Sequence, residues 1–411
     1  MLRRPFLCAV LGLGALAAGL AVPAHAAPTG NLLKNPGFEA TMPGHPWMPA
    51  GWDTSWSTLP TVFFGRDTTF AHEGRFAVGV ANVSTLLPLW HNWSQSLIIG
   101  PEMWGKDMVF SAWTKSNGVQ GRGYILAHAY RDTTGKMSRL WGVPRDTALR
   151  RLGFLLATDP YLKLATTREY FSEEETDWVR REVRIFIPPS TNLVHVRCGL
   201  FGTGQVFFDE ASLTAEPALP PAALPLGVNL LKDPGFEGDG NDWDYSLPPY
   251  DEMRYDVDST VAHSGKYSLR FTGGTMGPVK TRGGALQVFG RGLDGKRLRL
   301  TAWVKTDSLM SHAYLKLYCT RLQGDLDVGA PKLVGGTTDW TKLQIEMDVP
   351  KDTYQVSAWV VYNAPSDGTV WFDDASLEIL GPATGELYPP VKAAPARKPA
   401  PKPGRKTSAS R

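Results

Sequence analysis

Four carboxylates stand at matching places in two related stretches of the chain. Glu39 and Glu237 end the segments N-L-L-K-N-P-G-F-E and N-L-L-K-D-P-G-F-E, and Asp209 and Asp373 lie in the later segments F-F-D-E-A-S-L and W-F-D-D-A-S-L. Alternation along a strand places each aspartate on the same side as the Ala and Leu that follow it, which is the core-facing side. A carboxylate on such a face must be paired, protonated or bound to a metal ion.

Aromatic side chains form a second candidate site. In the segment R-L-T-A-W-V-K at 299–305, the apolar residues alternate with polar ones, so Trp303 is directed to the outer face. A patch of exposed aromatic side chains on a protein surface usually marks a binding site. The residues that the same rule places on this face are Trp303, Tyr314, Tyr318 and Trp359 in the second repeat and Trp113, Tyr124 and His128 in the first.

Short strands must position both sets of residues. Apolar residues recur at every second position in many short segments, and Gly and Pro separate these segments, which predicts an all-β fold. The matched segments bracket two tandem β-sandwich (jelly-roll) domains, module 1 at 31–214 and module 2 at 229–380, joined by a Pro-rich linker at 215–228.

Module 1 is the longer of the two repeats. The matched tryptophans Trp113 and Trp178 are 65 positions apart, whereas Trp303 and Trp340 are 37 apart, so module 1 carries an insertion of 28 residues, predicted near 131–165. The single cysteines of the modules, Cys198 and Cys319, leave two explanations open: two buried thiols, or a disulfide between the modules.

The two ends of the chain differ from the modules in composition. Residues 1–26 have a basic start, an apolar stretch and the sequence A-H-A, which predicts a signal peptide cleaved after Ala26 and a secreted protein, extracellular or periplasmic. No later segment is apolar enough to predict a transmembrane span. Residues 381–411 form a basic tail rich in Pro, Lys and Ala that is predicted to be disordered. Two roles are open for the tail: a solubilising tether, or adhesion to an anionic envelope surface.

Five motifs recur in the same order in both repeats. Besides the opening and closing segments, these are A-H-x-G at 71–74 and 262–265, [ST]-A-W-x-K at 111–115 and 301–305, and T-D-W at 176–178 and 338–340. Together they resemble carbohydrate-binding modules of the endoglucanase C (CenC) type, which belong to the galactose-binding-domain-like jelly rolls. The resemblance covers about 31–213 and 229–379, and the insertion in module 1 departs from it.

The resemblance implies one structural Ca²⁺ per module. Glu39 and Asp209 would bind the ion in module 1, and Glu237 and Asp373 would bind it in module 2. Calcium takes 6–8 oxygen ligands, and backbone carbonyls of the A-H-x-G loops would complete the set. The other explanation of these carboxylates is that they accept hydrogen bonds from turn amides.

The resemblance also implies that the protein binds a polysaccharide or glycan through the aromatic faces. Sugar rings stack their C–H faces on aromatic rings, and Gln287, Lys305 or Lys316 would bind the hydroxyl groups. Module 1 has the more polar face, because Arg197 stands where module 2 has Trp359. Another possibility is that the insertion, a loop or the other module covers these aromatic residues.

The sequence contains no catalytic motif of the G-x-S-x-G, H-E-x-x-H or P-loop type. Two modules, a linker and a tail leave no residues for a catalytic domain, so we expect a non-catalytic binding protein with no nucleic-acid partner. Two alternatives remain open. One is a structural or adhesive envelope protein that binds protein partners or an anionic polymer, and the other is a polysaccharide hydrolase or lyase on the jelly-roll scaffold.

Overall fold

The computed structural model describes residues 30–55, 60–84, 90–131, 162–172, 177–238, 242–246, 254–273, 281–321, 325–329, 333–364 and 367–385. The predicted signal peptide, most of the predicted insertion and the tail from residue 386 onward lie outside these ranges. Within them, no helix has both the length and the apolar character needed to cross a membrane.

Module 1 consists of ten strands and one short 3-10 helix. The elements are β1 (Thr41–Met42), β2 (His45–Pro49), β3 (Asp53–Thr54), β4 (Val62–Asp67), β5 (Ala77–Asn82), β6 (Trp90–Ile98), η1 (Pro101–Met103), β7 (Lys106–Arg131), β8 (Leu162–Phe171), β9 (Val179–Phe186) and β10 (Leu193–Pro217).

Two long strands, β7 and β10, each run through both sheets of module 1. The first half of β10 pairs with β6 and with the second half of β7, which also pairs with β8. The second half of β10 pairs with β5 and with the first half of β7, which also pairs with β9. We call the sheet of β3, β6, β10, β7 and β8 the front sheet, and the sheet of β4, β5, β10, β7 and β9 the back sheet.

Glycines allow β7 and β10 to pass from one sheet to the other side by side. Gly121 and Gly202 have φ angles of 119° and 110°, a conformation that other residues rarely adopt. A Cβ atom at Gly121 would lie 2.2 Å from the carbonyl oxygen of Phe201, and one at Gly202 would lie 2.2 Å from that of Gln120. The close approach of the two backbones therefore requires glycine at both positions.

Module 2 repeats this layout with nine strands. They are β11 (Asp244–Ser246), β12 (Arg254–Asp258), β13 (Ser268–Thr272), β14 (Thr281–Phe289), β15 (Lys296–Arg321), β16 (Leu326–Gly329), β17 (Val334–Asp348), β18 (Thr353–Ala364) and β19 (Thr369–Pro382). Its front sheet has the order β11-β14-β18-β15-β16, and its back sheet has the order β12-β13-β19-β15-β17. The prediction of an all-β chain with two tandem β-sandwiches is confirmed.

The core of each module lies between its two sheets. Trp52 and Trp243, which follow the opening segments, are 2% and 1% exposed, as predicted for core residues. Cys198 and Cys319 are both buried and both free, which confirms the expectation of two buried thiols. Burial of such side chains contributes roughly 1.5–3 kcal/mol each to folding.

The opening and closing segments are joined by an asparagine in each module. The side-chain oxygen of Asn229 accepts hydrogen bonds from the amides of Leu231 and Leu377, at 3.1 and 3.0 Å, and its amide group donates to the carbonyl of Ala375 at 2.9 Å. Asn31 makes the same three bonds in module 1. The repeated motif therefore ties the first residues of each module to its last strand.

The module boundaries differ slightly from the predicted ones. Strand β10 continues to Pro217, which pairs with Lys106, so the linker begins three residues later than the predicted 215. Strand β19 continues to Pro382, and the amide of Thr384 donates to Asp348 at 2.9 Å. Module 2 therefore extends beyond residue 380, because backbone pairing continues into what composition alone assigns to the tail.

Candidate functional site

The front sheet of module 2 carries one row of aromatic and basic side chains. Lys316 on β15 lies directly opposite Trp359 on β18, so both side chains project from the same outer face. The ammonium group of Lys316 is 5.1 Å from the ring centroid of Trp359 and 4.9 Å from that of Tyr318. It also pairs with Asp327 at 3.2 Å. The lysine thus connects the two rings and holds them in place through cation–π contact.

Trp359 and Tyr318 are half-buried on this face. The indole N–H of Trp359 is buried and has no hydrogen-bond partner among the described residues, whereas the hydroxyl of Tyr318 donates to Asp325. Tyr314, one row further along β15, is only 7% exposed, so the prediction that it faces solvent is wrong. Of the three predicted aromatic residues that lie on this sheet, Trp359 and Tyr318 form the accessible pair.

Trp303 does not belong to this face. It lies on the back sheet, where its ring stacks on His263 at a centroid distance of 3.9 Å. The ring of Trp340 also contacts His263, edge-on, at a centroid distance of 5.5 Å. The equivalent Trp113 stacks on His72 at 4.0 Å. The prediction that these two tryptophans share a surface with Trp359 is wrong, because β7 and β15 leave the back sheet before they reach the front sheet.

Tyr124 and His128 lie on the front sheet of module 1, but both are buried. Tyr124 is fully covered, with its ring centroid 5.0 Å from that of Trp90 and 6.5 Å from that of Tyr170. His128 is 7% exposed, and its Nδ1 lies 2.7 Å from the hydroxyl of Thr166. The predicted exposure of both is wrong, and Trp90 on β6 and Tyr170 on β8 are the bulky side chains that pack against Tyr124.

Positive charge dominates the next row of this sheet. Arg197 on β10 is opposite Leu126 on β7, which in turn is opposite Arg168 on β8. Burial, reinforced by Arg197 and other nearby cations, lowers the pKa of His128 well below its usual value, and burial and Arg197 do the same for His195. Both imidazoles are therefore neutral at neutral pH.

Module 2 packs against this part of module 1. The guanidinium of Arg168 lies 2.7 Å from the carboxylate of Asp244, and the hydroxyl of Tyr170 donates to the same carboxylate. Arg122 donates to the carbonyl of Trp243 at 2.7 Å. In the middle of β8, Gln355 donates to the carbonyl of Thr166 at 2.8 Å. Of the coverings that the sequence left open for the aromatic residues, the described residues show a loop, because His72 and His263 of the A-H-x-G loops stack on Trp113 and Trp303.

Sequence reasoning missed the residues that make this contact. Alternation in the segment T-R-E-Y at 167–170 places Arg168 and Tyr170 on one face of a strand, which was a usable signal. Asp244 follows the core residue Trp243 and is directed outward by the same rule. Nothing local indicated that the two faces meet.

Two of the side chains proposed to bind hydroxyl groups are positioned elsewhere. The amide of Gln287 bonds to the backbone of Lys232, accepting from its N–H at 3.0 Å and donating to its carbonyl at 2.6 Å. Lys305 lies on the back sheet and pairs with Asp339 at 2.8 Å. Lys316 alone of the three lies on the outer front face.

The four predicted metal-binding carboxylates hold the A-H-x-G loops through backbone amides. In module 1, Asp209 is fully buried and accepts from the amides of His72 and Glu73 at 2.8 and 3.2 Å. Glu39 accepts from the following amides, those of Arg75 and Phe76, at 2.8 and 2.9 Å. The two carboxylates therefore hold successive halves of one loop.

Module 2 repeats the arrangement. Asp373 accepts from the amides of His263 and Ser264 at 2.7 and 3.2 Å, and Glu237 accepts from those of Lys266 and Tyr267 at 2.8 and 3.0 Å. The loops thus present N–H donors to these carboxylates, in agreement with the second explanation that the sequence allowed.

The oxygen-only chemistry of these side chains suits calcium, and in each module both carboxylates already accept hydrogen bonds from backbone amides. The described residues include no group of three or more His, Cys, Asp or Glu side chains placed to hold a metal ion. Burial raises the pKa of Asp209 to about 6, although hydrogen bonds from the amides of Glu210, Glu73 and His72 oppose this rise. In this arrangement the carboxylates hold the loops in place through backbone amides.

No protein-family model matches the chain. Over 87 residues the chain is 32% identical to an uncharacterized HTH-type transcriptional regulator, YbfP, of Bacillus subtilis. The match covers 20% of this chain and 29% of that protein, so the chain spans less than a third of this relative.

Several solved structures show a weak likeness. The CBM22-1–CBM22-2 tandem domain of Paenibacillus barcinonensis Xyn10C is 14% identical with a TM-score of 0.31, covering 82% of this chain and 94% of that one. The C-terminal family 22 carbohydrate-binding module of Clostridium thermocellum Xyn10B is 18% identical with a TM-score of 0.30, covering 40% and 99%. The Stig cyclase Fisc of Fischerella sp. TAU is 18% identical with a TM-score of 0.32, covering 46% and 99%. Likeness at this level carries no argument about the ligand.

Proposed function

We propose that the protein is a secreted, non-catalytic polysaccharide-binding protein, and that the front sheet of module 2 is its main binding face. The observation that carries this proposal is Trp359. Its ring is half-buried on an outer sheet face beside Tyr318 and Lys316, and its indole N–H has no hydrogen-bond partner among the described residues.

These features suit a sugar ring. The C–H face of a sugar stacks on an indole, and a sugar oxygen accepts a hydrogen bond from an indole N–H. Lys316 and the carboxylate of Asp327 are 3.2 Å apart on the same face and offer a donor and an acceptor for hydroxyl groups.

The two modules contribute unequally in this proposal. The front sheet of module 1 is more polar and packs partly against module 2 through Arg168 and Asp244. A second, weaker site on module 1 would raise the apparent affinity for a long polysaccharide only if one polysaccharide chain can reach the sites of both modules at once. The CenC-type resemblance and the signal peptide at 1–26 are consistent with this role.

Retention on insoluble polysaccharides tests the proposal. We expect wild-type protein to be retained by at least one of a panel of glucans, xylans and galactans, and W359A to be eluted much earlier. W340A is the matched control, because Trp340 lies on the back sheet against His263. Equal retention of W359A and the wild type would contradict the proposal. Release of reducing sugar from the same panel would contradict the non-catalytic part.

A structural or adhesive role is the second candidate. The observation in its favour is that polar side chains of the front sheets, Arg168 and Tyr170 against Asp244, join the modules to each other. In that case the protein would show no polysaccharide retention, and binding to an anionic surface would be lost when residues 386–411 are deleted.

A further inference from the structure

We propose that the front sheet of module 1 binds the acidic group of an anionic polysaccharide, with Arg197 as the residue that contacts the carboxylate or sulfate. This inference rests on the proposed function and names the ligand class for the module whose face differs from that of module 2.

Arg197 is an unpaired cation. Its side chain makes no ion pair or hydrogen bond with any described residue, and its Nε is buried without an acceptor. A guanidinium offers five N–H donors in a planar fork that matches a carboxylate or sulfate group. A half-buried arginine without a partner favours an anion, and the described residues supply none at this position.

The charged side chains near Arg197 in the described residues do not pair with it. Arg168, in the same row, is already paired with Asp244 of module 2 at 2.7 Å. Glu169 on β8 is paired with Arg181 at 2.8 Å. Asp53 on β3 lies in the same row as Arg197, with Ser94 on β6 between them, and no ion pair joins the two side chains. The described part of this face therefore has an excess of positive charge.

The neighbours of Arg197 suit the neutral part of a sugar. His195 and His128, in the adjacent row, lie 2.6 and 2.7 Å from the hydroxyls of Ser96 and Thr166. Of the two, His195 is half-buried rather than buried, and a neutral imidazole has one N–H donor and one acceptor nitrogen, so its ring can hydrogen-bond a hydroxyl without adding charge. The face thus combines cationic side chains with neutral polar groups.

The two modules carry different side chains at one equivalent position of their front sheets. Arg197 lies between β7 and β6 in module 1, and Trp359 lies between β15 and β14 in module 2, so the two residues hold the same place in their sheets. The same place therefore carries a stacking platform in one module and an anion-binding group in the other.

The experiment compares R197Q with R180Q in the full chain. Arg180 is exposed on the back sheet of module 1, so R180Q removes the same charge away from the face and retains the basic tail. Binding is measured to polygalacturonate, which carries carboxylates, to dextran sulfate, and to neutral xylan. We expect R197Q to bind at least one of the two anionic polymers roughly tenfold more weakly than wild type, because a charge-assisted hydrogen bond to the anion is lost. R180Q and xylan binding should be unchanged.

The outcomes separate the inference from the proposed function. A loss on one anionic polymer assigns the acidic group to carboxylate or sulfate. If R197Q and R180Q bind both anionic polymers with equal affinity, and xylan binding persists, the inference is overturned but the proposed function is not. Absence of binding to every polysaccharide by the wild type would overturn the proposed function itself. If R197Q melts earlier than R180Q, R197K replaces it, and an intermediate loss is expected because lysine keeps the charge but not the planar fork.

Discussion

Arg168 of module 1 and Asp244 of module 2 form an ion pair between two side chains that are only 20% and 10% exposed, with 2.7 Å between Nη2 and Oδ2. The hydroxyl of Tyr170 donates to the same carboxylate, so one acidic side chain of module 2 joins two residues of strand β8. The tandem modules therefore meet through their front sheets, the same surfaces to which we assign ligand binding.

Removing the charge of Asp244 should destabilise the contact between the modules. D244N leaves Arg168 without its partner in a mostly buried position, and breaking such a pair destabilises by about 3 kcal/mol. Urea unfolding measures the change. The control is E182Q, because Arg180 and Glu182 form an exposed pair at 3.1 Å whose loss changes stability by less than about 1 kcal/mol. Similar midpoints for D244N and E182Q would contradict a structural role of the contact.

Trp303 should contribute to stability and leave polysaccharide retention intact. W303A removes the ring that stacks on His263 at 3.9 Å, and large-to-small changes of this kind destabilise by about 3 kcal/mol or more when the site is packed. Thermal melting should show a lower Tm, whereas retention of the folded variant should equal that of the wild type. Loss of retention with an unchanged Tm would place Trp303 in the binding site instead.

Asp258 should make folding sensitive to acid. Burial alone would raise the pKa of Asp258, but hydrogen bonds from Thr260 and Trp371 and the ion pair with Arg270 outweigh burial and lower the pKa to about 2. The pKa of an unfolded aspartate is about 3.9. A carboxyl whose pKa is lower in the folded state contributes stability above the unfolded pKa and loses it as pH falls through the folded pKa. The stability gap between wild type and D258N should therefore shrink between about pH 4 and pH 2, as urea unfolding at several pH values would show. A gap independent of pH would contradict this.

The calcium prediction is tested by removing the metal. If an ion joins Glu237 to Asp373 as the family resemblance implies, EGTA should lower the Tm of the wild type by several degrees, because a ligand that binds only the folded state stabilises it. E237Q should lose this response, and excess Mg²⁺ should not replace calcium. A Tm that does not change with EGTA would contradict the calcium prediction. The role of Glu237 would then be to accept the amide hydrogen bonds at 2.8 and 3.0 Å.

The sequence alone was sufficient to predict the two β-sandwiches and part of their cores. Trp52 and Trp243 follow repeated opening segments, and both are buried as expected. Period-two alternation is a local property of a strand, so it correctly separated inner from outer positions along β15 and β18. The matched motifs likewise brought Glu39 and Asp209 to the same loop.

The composition of each face was decided by the tertiary structure. Alternation shows that Trp303 and Tyr318 both point outward, but it cannot show that β15 changes sheets between them and places them on opposite sides of the sandwich. Exposure depends on neighbours in space, which is why Tyr124 points outward from its strand and is still buried. The pairing of Arg168 with Asp244 joins residues of different modules. No local pattern encodes such a contact, because it forms only when two complete sheets pack against each other.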